Sequence, residues 1–155
     1  MTTLISLDTS TKSTGVAIYY DGKLGATLLL TSDIKDADER IKDMVLQIYD
    51  LFDDYRPDIV VIETPSVTRN PNVQRELTKL WGAVYGECIK SKIHWCSYRP
   101  TEWRKWFKDD EPMPRKRIEL KAWAIRKVKE LFDIDVNDDI ADAVLMGSAY
   151  IKQFS

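Results

Sequence analysis

Hydrophobic and polar positions along this chain change period as it proceeds. Residues 3 to 7, 14 to 20 and 23 to 30 carry short apolar and β-branched runs that read as strands, and the Asp21-Gly22 pair suits a tight hairpin between the second and third. From Asp36 the spacing becomes helical: Ile41, Met44, Val45, Ile48, Leu51, Phe52 and Tyr55 share one face, and Pro57 ends it. The run DIVVIE, residues 58 to 63, is nearly continuous in apolar character, as expected of a strand covered on both faces. A loop with Pro65, Asn70, Pro71 and Asn72 leads to a second helical face made of Leu77, Leu80, Trp81, Val84 and Cys88. Residues 93 to 98 read as a further strand. YRPTEWRKWF holds a short helix, and KDDEPMP is a loop. A helix with Pro114 in its first turn then turns Ile118, Ala124, Ile125, Val128, Leu131 and Phe132 inward. A last helix runs from about residue 138 to 152. An opening meander followed by alternating helices and strands predicts an α/β fold with a mixed five-stranded sheet flanked by helices.

Composition narrows the function. A chain of 155 residues at 44% hydrophobic can bury one good core, so residues 1 to 155 are expected to form a single domain. No apolar stretch approaches the roughly 20 residues of a membrane helix, and no basic leader precedes Thr2 and Thr3, so the expectation is a soluble, cytoplasmic protein without a membrane partner. Two cysteines, Cys88 and Cys96, make neither a disulfide framework nor a four-ligand zinc site, and one histidine, His94, gives a Ser-His-Asp mechanism nothing to stand on. The net charge is -2, but residues 98 to 129 hold eleven Lys or Arg against five acids, which leaves the rest of the chain strongly acidic. That basic segment is either a solvated helix face or a surface for phosphates.

The acids at the ends of buried strands are the ones that ask for a role. Asp8 closes the first strand just before the polar loop TSTKSTG, and Glu63 closes IVVIE in the same way. Asp139 and Asp142, three apart in VNDDIADAVL, fall on one helix face beside its apolar stripe. Each has an ordinary reading: a turn former for Asp8, a loop-bonded strand end for Glu63, a helix cap for Asp138 or Asp139, a first-turn acid for Asp142. Together they would cost stability unless a cation neutralised them, and oxygen ligands at this density suit Mg2+ or Mn2+.

Asp8 before its Ser/Thr/Gly loop, Glu63 ending IVVIE, and DIADA in the final helix resemble the ribonuclease-H-like nucleases, most of all the RuvC-type Holliday-junction resolvases. The resemblance runs through almost the whole chain. It implies a three-layer α/β/α fold, in which Asp8, Glu63, Asp139 and Asp142 bind two Mg2+ ions, replaceable by Mn2+, for hydrolysis of phosphodiesters in four-way junctions and in forks or flaps. Asp138, just before the motif, is not counted as a ligand. Lys116 in PRKRIEL, and more loosely Lys105, match lysines that contact DNA in that family, and Arg104, Arg115 and Arg117 add to the same basic segment. Trp103, Trp106 and Trp123 lie among these charges as candidates for stacking on unpaired bases or for the core. Where the family often carries an aromatic residue after the strand-four glutamate, this chain has Ser66, and Arg69, Asn70 and Asn72 offer polar contacts instead, as in less sequence-selective, phage-encoded members. The family also implies a homodimer, with the helix carrying Leu77, Leu80, Trp81, Val84 and Tyr85 as the interface candidate or simply a core helix.

Rival readings share the fold's ancestry. DTSTKSTGVAIYY also resembles the first phosphate loop of actin-like ATPases and sugar kinases, and the opening of the threonylcarbamoylation partner proteins. Six unclustered glycines leave no second phosphate loop for a kinase. A non-catalytic binding module would leave Glu63, Asp139 and Asp142 without a role, whereas a nuclease of this fold acting on RNA would use the same acids.

Overall fold

The structure is a computed structural model and describes residues 1–67, 70–108 and 112–155. In chain order the elements are β1 (Thr3–Asp8), β2 (Ser13–Tyr20), β3 (Lys23–Thr31), α1 (Ala37–Tyr55), β4 (Ile59–Glu63), α2 (Pro71–Lys90), β5 (His94–Tyr98), α3 (Pro100–Arg104), a 3-10 turn (Lys105–Phe107), α4 (Arg117–Phe132) and α5 (Asp138–Phe154). They form a mixed five-stranded sheet in the order β3-β2-β1-β4-β5, with β1, β2 and β3 antiparallel and β4 and β5 parallel to β1. Asp21 (φ 49°) and Gly22 (φ 81°) both take the left-handed conformation that a two-residue hairpin of this hand requires.

Alternation along the strands divides the core in two. Ile5, Leu7, Val16, Ile18, Val60 and Ile62 pack with Met44, Ile48, Leu80 and Val84 of α1 and α2. Leu4, Ala17, Tyr19 and Val61 face the other way, onto α3, α4 and α5, where Trp103, Val128 and Val144 meet them. The sheet is therefore the middle layer of a three-layer α/β/α fold, as expected. The same period of two carries the even positions of β1 and the odd positions of β4 toward α5, so Asp8 and Glu63 end their strands on that face.

Local chemistry sets the helix limits. The Asp36 side chain accepts from Glu39 N–H at 3.0 Å to start α1, and Arg56 closes it in the left-handed conformation before Pro57. Asn137, not an aspartate, caps α5 by accepting from Ile140 N–H at 2.9 Å, which places Asp138 and Asp139 in the first turn.

Three expectations are corrected. Pro114 lies before α4, which begins at Arg117. The inward stripe of α4 is Trp123, Ala124, Lys127 and Val128, while Ile118 is 82% exposed and Ile125 and Leu131 also reach the surface. Ala124 and Val128 turn inward as expected, Trp123 takes the core place of its two alternatives, and Lys127 joins them by burying an aliphatic stem that a count of apolar residues passes over. In α2, Leu80 and Val84 are completely buried in the chain's own core, which removes them as interface residues and fits the core-helix alternative, while Leu77 lines a cleft and Trp81 and Tyr85 cluster with Trp95 of β5 at ring separations of 4.9–5.6 Å.

Candidate active site

Asp8 and Glu63 stand at the ends of neighbouring parallel strands, one step beyond the Leu7–Ile62 pair. Across the ladder Asp8 faces Gly15, and α5 crosses the sheet at that glycine. A Cβ on Gly15 would meet the Asp139 carbonyl and lie 2.7 Å from Ile140 N. This close approach, which only a missing side chain permits, brings the first turns of α5 to the strand ends and with them Asp139 and Asp142. Ser13 Oγ donates to Asp139 at 2.8 Å. Trp103 Nε1 donates to Glu63 Oε2 at 3.0 Å. Asp138 pairs with Lys121, 3.3 Å away, and lines the same cleft.

All four acids line one open cleft of about 780 Å³, rimmed by Lys12, Arg40, Arg104, Arg115, Arg117 and Lys121. The surroundings of Asp8, Glu63 and Asp142 favour protons. Burial first, then Glu63, Asp142 and Asp139, hold the Asp8 carboxyl well above the usual range. Burial also raises Glu63, against the Trp103 hydrogen bond and the Arg104 charge. Asp142 is pushed up to about 7 by burial and by Glu63, with Arg104 opposing and Asp138 and Asp139 adding.

A carboxyl raised in the fold binds more protons there than when unfolded, so the stability it contributes is present at acid pH and is lost as pH rises from about 4 toward 7. Asp142→Asn removes that penalty. In EDTA the variant is expected to melt several degrees above the wild type at about pH 8, a gain on the order of 2 kcal/mol, and to gain much less at about pH 4. Circular-dichroism melts at the two pH values check this, and equal shifts at both would contradict it.

Among the described residues, no three His, Cys, Asp or Glu side chains stand as close as in a preformed metal centre. The donor chemistry nonetheless fits a hard divalent cation: four carboxylates share a cleft, Asp8 and Asp142 are raised by their acidic neighbours, and two of the four are hydrogen-bonded by protein donors. A cation supplies the counter-charge that would let such acids ionise together.

The basic candidates separate. Arg104, Arg115 and Arg117 line the cleft, whereas Lys105 and Lys116 are exposed and outside its lining. Arg69 lies outside the described residues. Ser66 lines the cleft mouth, and Val67 beside it is 95% exposed. Of the tryptophans, Trp103 is fully buried and Trp123 nearly so, so neither can stack on a base; Trp106, at 38% exposure, is the one of the three still open to such a role. Lys12 and Arg40 were not anticipated at the cleft. Arg40 is buried and ties the loop after β1 to α2, donating to Thr11 Oγ1 at 3.1 Å and pairing with Glu76 at 3.3 Å. Its place beside Ile41 and four before Met44, on the apolar side of α1, was the available signal.

No protein-family model and no curated protein sequence matches this chain. Solved structures do. Thermus thermophilus RuvC in complex with a Holliday-junction substrate is 14% identical with a TM-score of 0.74, over 99% of this chain and 96% of that one. A second Thermus thermophilus RuvC structure is 15% identical with a TM-score of 0.73, over 98% and 95%. The yeast mitochondrial Holliday-junction resolvase is 13% identical with a TM-score of 0.64, over 96% of this chain and 77% of that one. At these identities the likeness is one of fold, and for the two RuvC structures it covers both chains almost from end to end.

Proposed function

We propose that this RuvC-like chain is a Holliday-junction resolvase, a divalent-metal-dependent endodeoxyribonuclease that cuts four-way and other branched DNA. The observation that carries the reading is the convergence of Asp8, Glu63, Asp139 and Asp142 in one cleft of a RuvC fold, with arginines on its rim. The acids would hold Mg2+ or Mn2+, which would supply an activated water and charge stabilisation for the leaving oxygen of a phosphodiester. The chain's own part is to orient and to exclude alternatives. Ser13 and Trp103 hydrogen-bond two of the carboxylates, Arg104 offsets the charge of Glu63 and Asp142, and Arg115 and Arg117 draw a phosphate backbone toward an acidic floor that would otherwise repel it. Resolution needs opposed cuts on two strands, and Tyr85 and Ile89, 41% and 63% exposed on α2 over the partly buried Trp81 and Trp95, support a homodimer that supplies two sites.

Replacing both Arg115 and Arg117 by Ala is expected to weaken junction binding at every sequence tested and to reduce the slope of log affinity against log salt by about 2. Gel-shift titrations over a salt series measure it, and an unchanged slope would remove these residues from the interface. The substrate class is tested by offering labelled four-way junction, fork, flap, linear duplex and structured RNA with Mg2+ or Mn2+. Preferential cutting of the junction supports the reading, and cleavage of RNA alone would move the same acids to a ribonuclease.

A further inference from the structure

We propose that Trp103 is a positioning residue for Glu63: its indole N–H holds one carboxylate oxygen and so fixes the orientation in which the acid meets a divalent cation. The inference rests on the reading of Glu63 as a cation ligand. Trp103 is completely buried, and its Nε1 lies 3.0 Å from Glu63 Oε2, forty residues earlier in the chain. A buried indole N–H needs an acceptor, and here that acceptor is a carboxylate at the cleft rather than a nearby backbone carbonyl.

The donor is rigid. Trp103 sits in the core cluster beneath α5 with Phe107 and Trp123. Its short helix is tied down at the start, where Glu102 accepts from Arg99 N–H at 3.0 Å. Arg104, the next residue, lies over the Trp103 ring with its guanidinium carbon 5.2 Å from the centroid, and it lines the same cleft. The last torsion of a glutamate is broad and unrestrained by itself, so a fixed N–H on one oxygen is what gives the carboxylate plane a single setting. Such outer partners of metal ligands are worth about 10- to 100-fold in metal affinity.

Two replacements test this in the full chain. Trp103→Phe keeps an aromatic ring and removes the N–H. Benzothienylalanine at position 103 replaces the N–H by sulfur at nearly the same volume, which guards against a loosened core. Mn2+ binding is followed by calorimetry without DNA, and folding by thermal melts. Both variants are expected to bind Mn2+ at least about tenfold more weakly than wild type, with the benzothienyl protein melting close to it. A benzothienyl protein that binds Mn2+ as tightly as wild type overturns the role of Trp103 alone. Wild type that binds neither Mn2+ nor Mg2+ overturns this role and the cation reading together.

Discussion

Asp8→Asn is expected to lower junction cleavage by at least about a thousandfold while junction binding persists. Asp8 lies at the centre of the mutual repulsion, its carboxyl raised by Glu63, Asp142 and Asp139 as well as by burial. Neutralising it therefore removes a charge that the fold tolerates poorly, and a folding defect cannot account for lost activity. On the proposed reading it also removes an anion from a cleft that would face phosphate, so affinity for DNA should hold or rise. Glu63→Gln should behave alike, because the amide oxygen still accepts from Trp103 and keeps the local packing. Single-turnover cleavage and gel shifts on the same preparations separate the two effects. Cleavage within about tenfold of wild type in either variant would take that acid out of the chemistry.

Gly15→Ala is expected to cost about 3 kcal/mol or more and to lower cleavage even where the protein remains folded. The obstacle is backbone, the Asp139 carbonyl and Ile140 N, and not the flexible end of a side chain that could swing away. The start of α5 must then lift from β2, and Asp139 and Asp142 move with it. Urea denaturation reads the stability loss. Cleavage well below the midpoint temperature reads the displacement of the acids. Wild-type stability would mean that α5 does not rest on this strand as closely as described.

How much of this was legible in the sequence follows from which contacts are local. The sheet and its flanking helices were readable because strand runs and helical stripes are properties of neighbouring residues, as with IVVIE and the α1 face. Asp8 and Glu63 stood out because charge at the end of a buried strand has few ordinary explanations, and Asp139 with Asp142 because i,i+3 spacing defines a face. The support around them was hidden. Trp103 lies forty residues from Glu63, and its ring is equally suited to a core or to a stacked base, so only three-dimensional packing decides. Nothing in the loop TSTKSTG singles out Gly15 as the point where the first turn of α5 approaches β2, because that contact joins residues more than a hundred positions apart. The inner face of α4 was legible at Ala124 and Val128 but not at Lys127, whose aliphatic stem helps to form it.

The most direct measurement is cleavage of a supercoiled plasmid that extrudes a cruciform, with Mg2+, with Mn2+ and with EDTA. Paired cuts across the junction by one bound protein would release linear plasmid in either metal and none in EDTA, and Asp8→Asn would leave the plasmid intact. A wild-type protein that bound the cruciform but cut it under neither metal, or a variant that cut it as fast as wild type, would contradict the account.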